Sequence, residues 1–466
     1  MQTRTRIFGR LARAAAALAT AIVFTHAAEA QTFATLVNFS GANGANPAFM
    51  CLVQGTDGNF YGTTVNGGAN GDGTIFRITP GGALTTLHSF SGLDGAFPEA
   101  GVVQAANGSF YGTTDGGGAN GDGTIFKITA GGMFTTLHSF NSTDGAAPTG
   151  ALVQATKGDL YGTTYEGGAS AYPGYGTIFK FAPSGALTTL HSFDNTDGST
   201  PFAGLVQATN GSFYGTTIRG GAYDDGAIFK IMPDGALTVM HSFNGTNGDY
   251  PNGGLLQAAD ENFYGTTTTG GPFPDIYGTI FKITPAGALT TLYNFDETES
   301  HLPYDGLVQA TDGNFYGTTS GATVTIYGTI FQITPAGALT TMHSFDSTDG
   351  ASPYGGLVQG TDGNLYGTTY KGGANGEGTV FSLSVGLGPF VKTLPTSGEA
   401  GTAVKILGSN LTGAARVTFN GVAAAFTVLR PSEISTSVPA GATTGTVQVT
   451  TPGGTLLSNV AFQVRP

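Results

Sequence analysis

Histidine and the acidic residues are the groups in this chain with chemistry to offer, and most of them recur at fixed positions. His88, His138, His191, His241 and His343 each stand in a Leu/Met-His-Ser-Phe segment, and Tyr293 replaces the histidine in one further copy. Catalysis needs unlike groups converging on one point. One histidine per repeat, each on its own strand, predicts structural hydrogen bonding. Gly-Gly-Ala-Asn-Gly-Asp-Gly occurs at Gly67–Gly73 and Gly117–Gly123, with Glu377 in place of the Asp in the last copy. Asp194–Gly198 and Asp346–Gly350 read Asp-x-x-Asp-Gly. Oxygen-rich loops of this kind can hold calcium, but a full twelve-residue calcium loop is missing. Tight turns need Asn, Asp and Gly in any case. No Gly-x-Ser-x-Gly elbow with a histidine of its own and no phosphate-binding loop is present. No catalytic residue, metal ligand or cofactor is therefore assigned, and calcium stays open as an alternative.

Charge and composition narrow the class. Only 10% of the 466 residues are charged, 77 are glycine, none is tryptophan, and the net charge is −13. A globular chain carries about 25% charge and about 7% glycine. Abundant Gly beside Thr, Phe, Tyr and Ile predicts short strands joined by many tight turns. Without a basic stripe, nucleic acid is not an expected partner. A single cysteine, Cys51, cannot form an internal disulfide. Residues 1–30 read as a cleaved signal peptide: Arg4, Arg6, Arg10 and Arg13 precede the apolar run Ala14–Phe24, and Ala28-Glu29-Ala30 precedes Gln31. That run is shorter than the roughly 20 residues of a spanning helix. The expected address is secreted, periplasmic or cell surface, with no transmembrane segment in the mature chain.

The elements that position these residues repeat. Tyr-Gly-Thr-Thr starts at Tyr61, Tyr111, Tyr161, Tyr214, Tyr264, Tyr316 and Tyr366, in steps of 50, 50, 53, 50, 52 and 50 residues. A period of this size marks a repeat architecture. Each unit reads as four strands: Leu-Val-Gln-Ala, Phe/Leu-Tyr-Gly-Thr-Thr, Gly-Thr-Ile-Phe-Lys-Ile-Thr and Ala-Leu-Thr-Thr-Leu-His-Ser-Phe. Asp-Gly or Asn-Gly between the first two predicts a two-residue hairpin turn, and Asp260-Glu261 predicts one looser copy. Apolar residues come in adjacent pairs such as Ile75-Phe76, so both faces of each sheet must be buried. The prediction is all-β: a seven-bladed β-propeller over residues 31–386. The fourth-strand pattern appears first at Thr32–Phe39 and is missing after Phe381-Ser382-Leu383, so the N-terminal strand is expected to complete the last blade.

Nearly all length variation falls in the loop between the second and third strands. It spans 9 residues in most repeats, 12 from Thr164 to Gly176 and 11 from Thr267 to Gly278. Insertions confined to one face commonly mark a binding face. The candidate ligand-binding residues are Tyr165, Glu166, Arg219, Tyr370 and Lys371, with Asp115 beside them and Tyr172, Tyr175, Phe273 and Asp275 in the inserted loops.

Past Ser384 the repeat stops, and short strands with Gly and Pro turns predict a small Ig-like β-sandwich at 387–466. This part resembles the IPT/TIG immunoglobulin-like domain in Pro395-Thr396-Ser397-Gly398, Val417-x-Phe419-Asn420-Gly421 and Val438–Gly445. The seven-fold unit, Asp-Gly-Asn-x-Tyr-Gly-Thr-Thr followed by Gly-Thr-x-Phe-x-Ile-Thr, resembles the bacterial GloVer tandem repeat. The two resemblances imply an exported repeat protein with an extracellular accessory module and no assigned reaction. With the aromatic rings and mixed charges of the variable loops, the expectation is a monomeric, non-enzymatic binding or structural module that meets a carbohydrate or cell-surface ligand. The alternative is a propeller hydrolase or lyase acting on polysaccharide, with Glu166 or Asp115 as its acids.

Overall fold

A computed structural model describes residues 31–465 apart from 48, 50–51, 156, 171–172, 273–276, 297–301 and 322–326. The expected leader, Cys51, Tyr172, Phe273 and Asp275 lie outside the described residues. Those residues form strands and turns with no helix, so none is long and apolar enough to cross a membrane.

Residues 32–384 form blade-like, four-stranded antiparallel sheets, seven among the described residues. In the first full repeat the strands are Val53–Gln54, Phe60–Thr64, Thr74–Ile78 and Leu84–Ser89. Adjacent apolar residues face opposite ways, and both faces are buried. Tyr61, Ile75 and Phe90 of that repeat pack against Val102, Phe110, Phe126 and Ile128 of the next. The N-terminal strand Thr32–Asn38 pairs antiparallel with Thr379–Ser384, from Thr32 opposite Ser384 to Asn38 opposite Thr379. Phe39, Tyr366 and Val380 then pack on Leu52, Phe60 and Phe76 of the first repeat.

The turn end of the sheets is built alike from repeat to repeat. Among the described residues, glutamines of the first strand bridge to the preceding sheet: the N–H groups of Thr56, Ala106, Thr209, Ala259 and Thr311 donate to Gln104, Gln154, Gln257, Gln309 and Gln359 at 2.9–3.1 Å. Thr361 donates likewise to Gln54 at 3.0 Å, joining the last repeat to the first. The turn acid accepts from the tyrosine hydroxyl, as in Tyr61–Asp57 at 2.8 Å and Tyr366–Asp362 at 2.7 Å.

The hairpin differs from the sequence expectation. Gly58 N–H donates to Gly55 O at 2.9 Å and Gly55 N–H to Asn59 O at 2.8 Å. Of the two turn residues only Gly58 has positive φ, at 84°. This is a three-residue loop with a glycine bulge rather than a two-residue turn. The Asp260-Glu261 copy is not looser. Glu261 adopts φ 66°, and its N–H reaches Ala258 O at 2.9 Å. The surrounding hydrogen bonds hold a non-glycine residue in a conformation it enters at a cost.

The C-terminal module is a sandwich. One sheet carries Val391–Leu394, Ala403–Gly408, Phe426–Arg430 and Glu433–Ser437; the other carries Arg416–Phe419, Val422–Ala423, Val447–Thr451 and Gly454–Leu457. Ile406, Val417, Phe419, Ile434 and Val447 fill its core. It rests on the turn end of the first and last repeats. Ser432 donates to Thr56 O at 3.0 Å, Thr361 and Ser409 hydroxyls meet at 3.0 Å, and the Lys392 ammonium donates to Gln359 O at 2.6 Å. Burial pushes that ammonium down to about 8, against the charge of Asp362.

Candidate functional site

At the other end of the sheets, two loops of each repeat are laced by backbone alone. The residue before each loop proline is left-handed: Asn46, Phe97, Ala147, Thr200, Tyr250, Leu302 and Ser352 all have φ between 52° and 65°. Its carbonyl accepts the N–H of the residue that follows Tyr-Gly-Thr-Thr, as in Asp115 to Phe97 at 3.0 Å, Tyr165 to Ala147 at 2.9 Å and Tyr370 to Ser352 at 3.0 Å. A non-glycine residue at positive φ is uncommon. Here it recurs in every repeat, so it belongs to the frame and not to one strained site. The lacing leaves side chains free to vary at two places, just after the proline and just after Thr-Thr.

Those two positions meet around a cavity of about 530 Å³. Phe49, Phe202, Tyr304 and Tyr165 make one part of its wall; Glu99, Asp115 and Glu166 make another. The rings form a continuous run. Tyr370 meets Tyr354 at 5.3 Å, Tyr354 meets Tyr304 at 4.7 Å and stacks on Phe49 at 5.4 Å, Phe49 meets Phe202 at 5.1 Å, and Phe202 meets Tyr165 at 6.2 Å. Beneath it a second cavity of about 330 Å³ runs down between first-strand leucines, including Leu52, Leu152, Leu205 and Leu255.

The carboxyls are close enough to feel one another. Burial, reinforced by the charge of Asp115, pushes Glu99 up to about 7. Burial and then Glu166 push Asp115 up. Tyr165 is raised by burial, with Glu166 adding and Arg219 opposing. The lysine and arginine ion pairs of the described residues lie elsewhere, joining Lys180 to Asp159, Lys282 to Asp260, and Lys405 and Arg430 to Glu433. Chemically, the wall offers flat apolar faces beside carboxyl groups that can accept hydroxyl or ammonium hydrogens, or hold a proton near neutrality.

Of the residues expected from sequence, Tyr165 and Glu166 line the larger cavity. Tyr370 joins the ring run through Tyr354. Arg219 lies over Tyr250 at 4.8 Å and Lys371 over Tyr370 at 5.7 Å, both exposed at the rim and outside the cavity wall. Tyr175, from an inserted loop, is 38% exposed. Sequence reasoning missed Glu99, Phe49, Phe202, Tyr304 and Tyr354. For all of these but Phe49, which stands two residues after Pro47, the available signal was the residue after the loop proline, which reads Glu99, Thr149, Phe202, Asn252, Tyr304 and Tyr354 between otherwise regular neighbours.

The recurring histidines hydrogen-bond locally: His88 to Asp94 at 2.9 Å, His191 to Asp197 at 2.7 Å, His343 to Asp349 at 2.8 Å and His241 to Asn247 at 3.0 Å. The Asp-x-x-Asp-Gly loops turn their carboxylates inward, Asp194 accepting from Thr196 N–H at 3.0 Å and hydroxyl at 2.6 Å. Among the described residues no group of three or more His, Cys, Asp or Glu is placed to hold a metal.

Against known families, the Gloeobacter/Verrucomicrobia repeat matches residues 8–210 and 204–425, and the IPT/TIG domain matches residues 390–464. No curated protein matches the chain. Among solved structures, a fungal alcohol oxidase of the AA5 family in complex with copper is 13% identical, with a TM-score of 0.50 over 93% of this chain and 99% of its own. PorZ, a surface component of the type-IX secretion system of Porphyromonas gingivalis, is 14% identical, with a TM-score of 0.47 over 92% of this chain and 61% of its own. A gluconolactonase from Xanthomonas campestris is 13% identical, with a TM-score of 0.41 over 77% of this chain and 91% of its own. At such identities the alcohol oxidase likeness is one of fold alone, and its 93% coverage takes in the sheets and the C-terminal module together.

Proposed function

The chain belongs to the Gloeobacter/Verrucomicrobia repeat family and ends in an IPT/TIG domain, and on that footing we propose that it is an exported, non-enzymatic module that binds a carbohydrate chain. Its scaffold in this reading is a seven-bladed propeller spanning 31–386, closed by Thr32–Asn38 and followed by the Ig-like domain at 387–466. Pairing of the first strand with the last sheet and the Gln54–Thr361 hydrogen bond support closure. The basic leader and its small-residue cleavage pattern support export, which N-terminal sequencing of the secreted protein would check by finding Gln31 first.

The observation that carries the binding reading is the run of rings from Tyr370 to Tyr165 across a cavity edged by carboxyls. Sugar rings present apolar faces to aromatic side chains and hydroxyls to acids, and a site needs both. A glycan array with the purified protein, followed by titration of the best binder into Tyr354→Ala and Tyr165→Ala, tests it. Truncating a true anchor costs about 2 kcal/mol, or roughly thirtyfold in affinity. Loss of binding with an unchanged melting curve supports the site; wild-type affinity in both variants refutes it.

One observation favours a second reading, polysaccharide hydrolysis or elimination. Glu99, held near neutrality beside Asp115, has the protonation behaviour of a general acid. Reducing-sugar release from a bound glycan that vanishes in Glu99→Gln would favour it over binding alone.

A further inference from the structure

The wall of the larger cavity is chemically lopsided, and the imbalance narrows the ligand. Neutral sugars ask for hydrogen-bond donors as well as acceptors. Here Glu99, Asp115 and Glu166 line the cavity together with Asp122, which accepts from the Ser142 hydroxyl, and among the described residues only Asn252 and Thr149 add neutral hydrogen-bonding side chains beside Tyr165 and Tyr304. Neither nearby cation lies in the wall: Lys371 lies on the Tyr370 ring, and Arg219 on the Tyr250 ring, from where its charge reaches Tyr165 without pairing with a wall carboxylate. The same cavity is lined by Phe49, Phe202 and Tyr304, with Tyr354 packed on Phe49 and Tyr304, and electron-rich aromatic rings attract cations. Like charges crowded on one wall repel, and a ligand that brings positive charge relieves that repulsion as it binds.

Resting on the carbohydrate reading above, we infer that the site selects saccharides bearing free amino groups, with the sugar rings on the aromatic run and the ammonium groups against Glu99, Asp115 and Glu166. The 530 Å³ cavity has the size of a small-molecule site, and the chain's net charge of −13 favours approach of such a polycation over an acidic one. Acetylation of the amine removes the charge and keeps the ring, so it separates the two contributions within one scaffold.

The test is calorimetric titration of the full chain, in neutral buffer, with a glucosamine tetramer, its fully N-acetylated counterpart and tetralysine. The free-amine sugar is expected to bind at least about tenfold more tightly than the acetylated one. Asp115→Asn combined with Glu166→Gln should bring that ratio to about one without weakening the acetylated sugar. Tyr354→Ala should weaken both sugars alike. Equal binding of the two sugars by the wild type, or an unchanged ratio in the double variant, overturns amine selection and leaves the carbohydrate reading standing. Binding of neither sugar overturns both. Tetralysine binding as tightly as the amino sugar overturns the saccharide class, because charge alone would then suffice. Circular dichroism melting of each variant ensures that a lost signal is not lost folding.

Discussion

The two ends of the repeat sheets use the same residue types to opposite effect. At the turn end, each acid is satisfied: Asp57, Asp260, Asp312 and Asp362 all accept from a tyrosine hydroxyl and from neighbouring amides. At the mouth end, burial raises both Glu99 and Asp115, reinforced at Glu99 by the charge of Asp115 and at Asp115 by the charge of Glu166. A fully bonded carboxylate stabilises a fold, whereas a desolvated and repelled one weakens it. What the molecule gives up at the mouth is recovered at the turns, which is the arrangement expected where a site is carried on a repeated scaffold.

The comparison can be broken from either side. The largest effect should come from the structure both ends share. Phe76→Ala, in the core between last and first repeats, should destabilise by about 3–5 kcal/mol, and deleting residues 31–40 should lower the unfolding midpoint or cause aggregation by exposing the edge of Thr379–Ser384. A truncated protein that stays monomeric with an unchanged midpoint would refute closure.

Next comes the mouth acid. Because Glu99 is raised from 4.5 to about 7, its contribution is fully present below pH 4.5 and is lost as pH rises through 7. The change amounts to at most about 3 kcal/mol. Glu99→Gln should therefore flatten the fall in thermal midpoint across that interval and leave the variant more stable than wild type above it. Identical pH profiles would remove the claim that the mouth is held under electrostatic strain.

A turn acid should behave in the reverse way. Asp362→Ala leaves the Tyr366 hydroxyl and the Asn364 amide without their acceptor and should cost about 1–3 kcal/mol at neutral pH. Chemical denaturation at neutral pH checks it; a gain in stability would erase the distinction between the ends. The smallest effect is expected at His241, which burial lowers and which bonds Asn247 where His88, His138, His191 and His343 each bond an aspartate. His241→Gln should change stability by less than about 1 kcal/mol, measurably less than His343→Gln, whose partner is Asp349.

Much of the fold was legible because repetition amplifies weak signals. Ile75-Phe76 alone says little, but seven such pairs at one position require sheets buried on both faces, and the sheets are so packed. The early Thr32–Phe39 segment likewise showed which strand the last repeat lacked. The hairpin was misread because Asp-Gly suits two turn classes, and only hydrogen bonds tell them apart. Glu261 defied its own propensity because the fixed strands on either side impose the turn. In the site, Tyr165 and Glu166 were found through loop length. Glu99, Phe202, Tyr304 and Tyr354 were not, since their loops change in identity without changing in length. Phe49 joins the ring run from the very first repeat, beside Phe202 and Tyr354, a proximity across the sequence that no local pattern announces.

The pairing of Thr32–Asn38 with Thr379–Ser384 also sets a timetable. The first of these strands to leave the ribosome is the one whose partner is made last. At ordinary synthesis rates of about 5–20 residues per second it waits roughly 20–70 seconds before its neighbour exists. For that interval the sheet built on Thr379–Ser384 lacks its outer strand, whereas six other four-stranded sheets consist of consecutive strands and have every strand they need as soon as each is made. The pairing of the two distant segments therefore comes after the strands of those six sheets have all been synthesised.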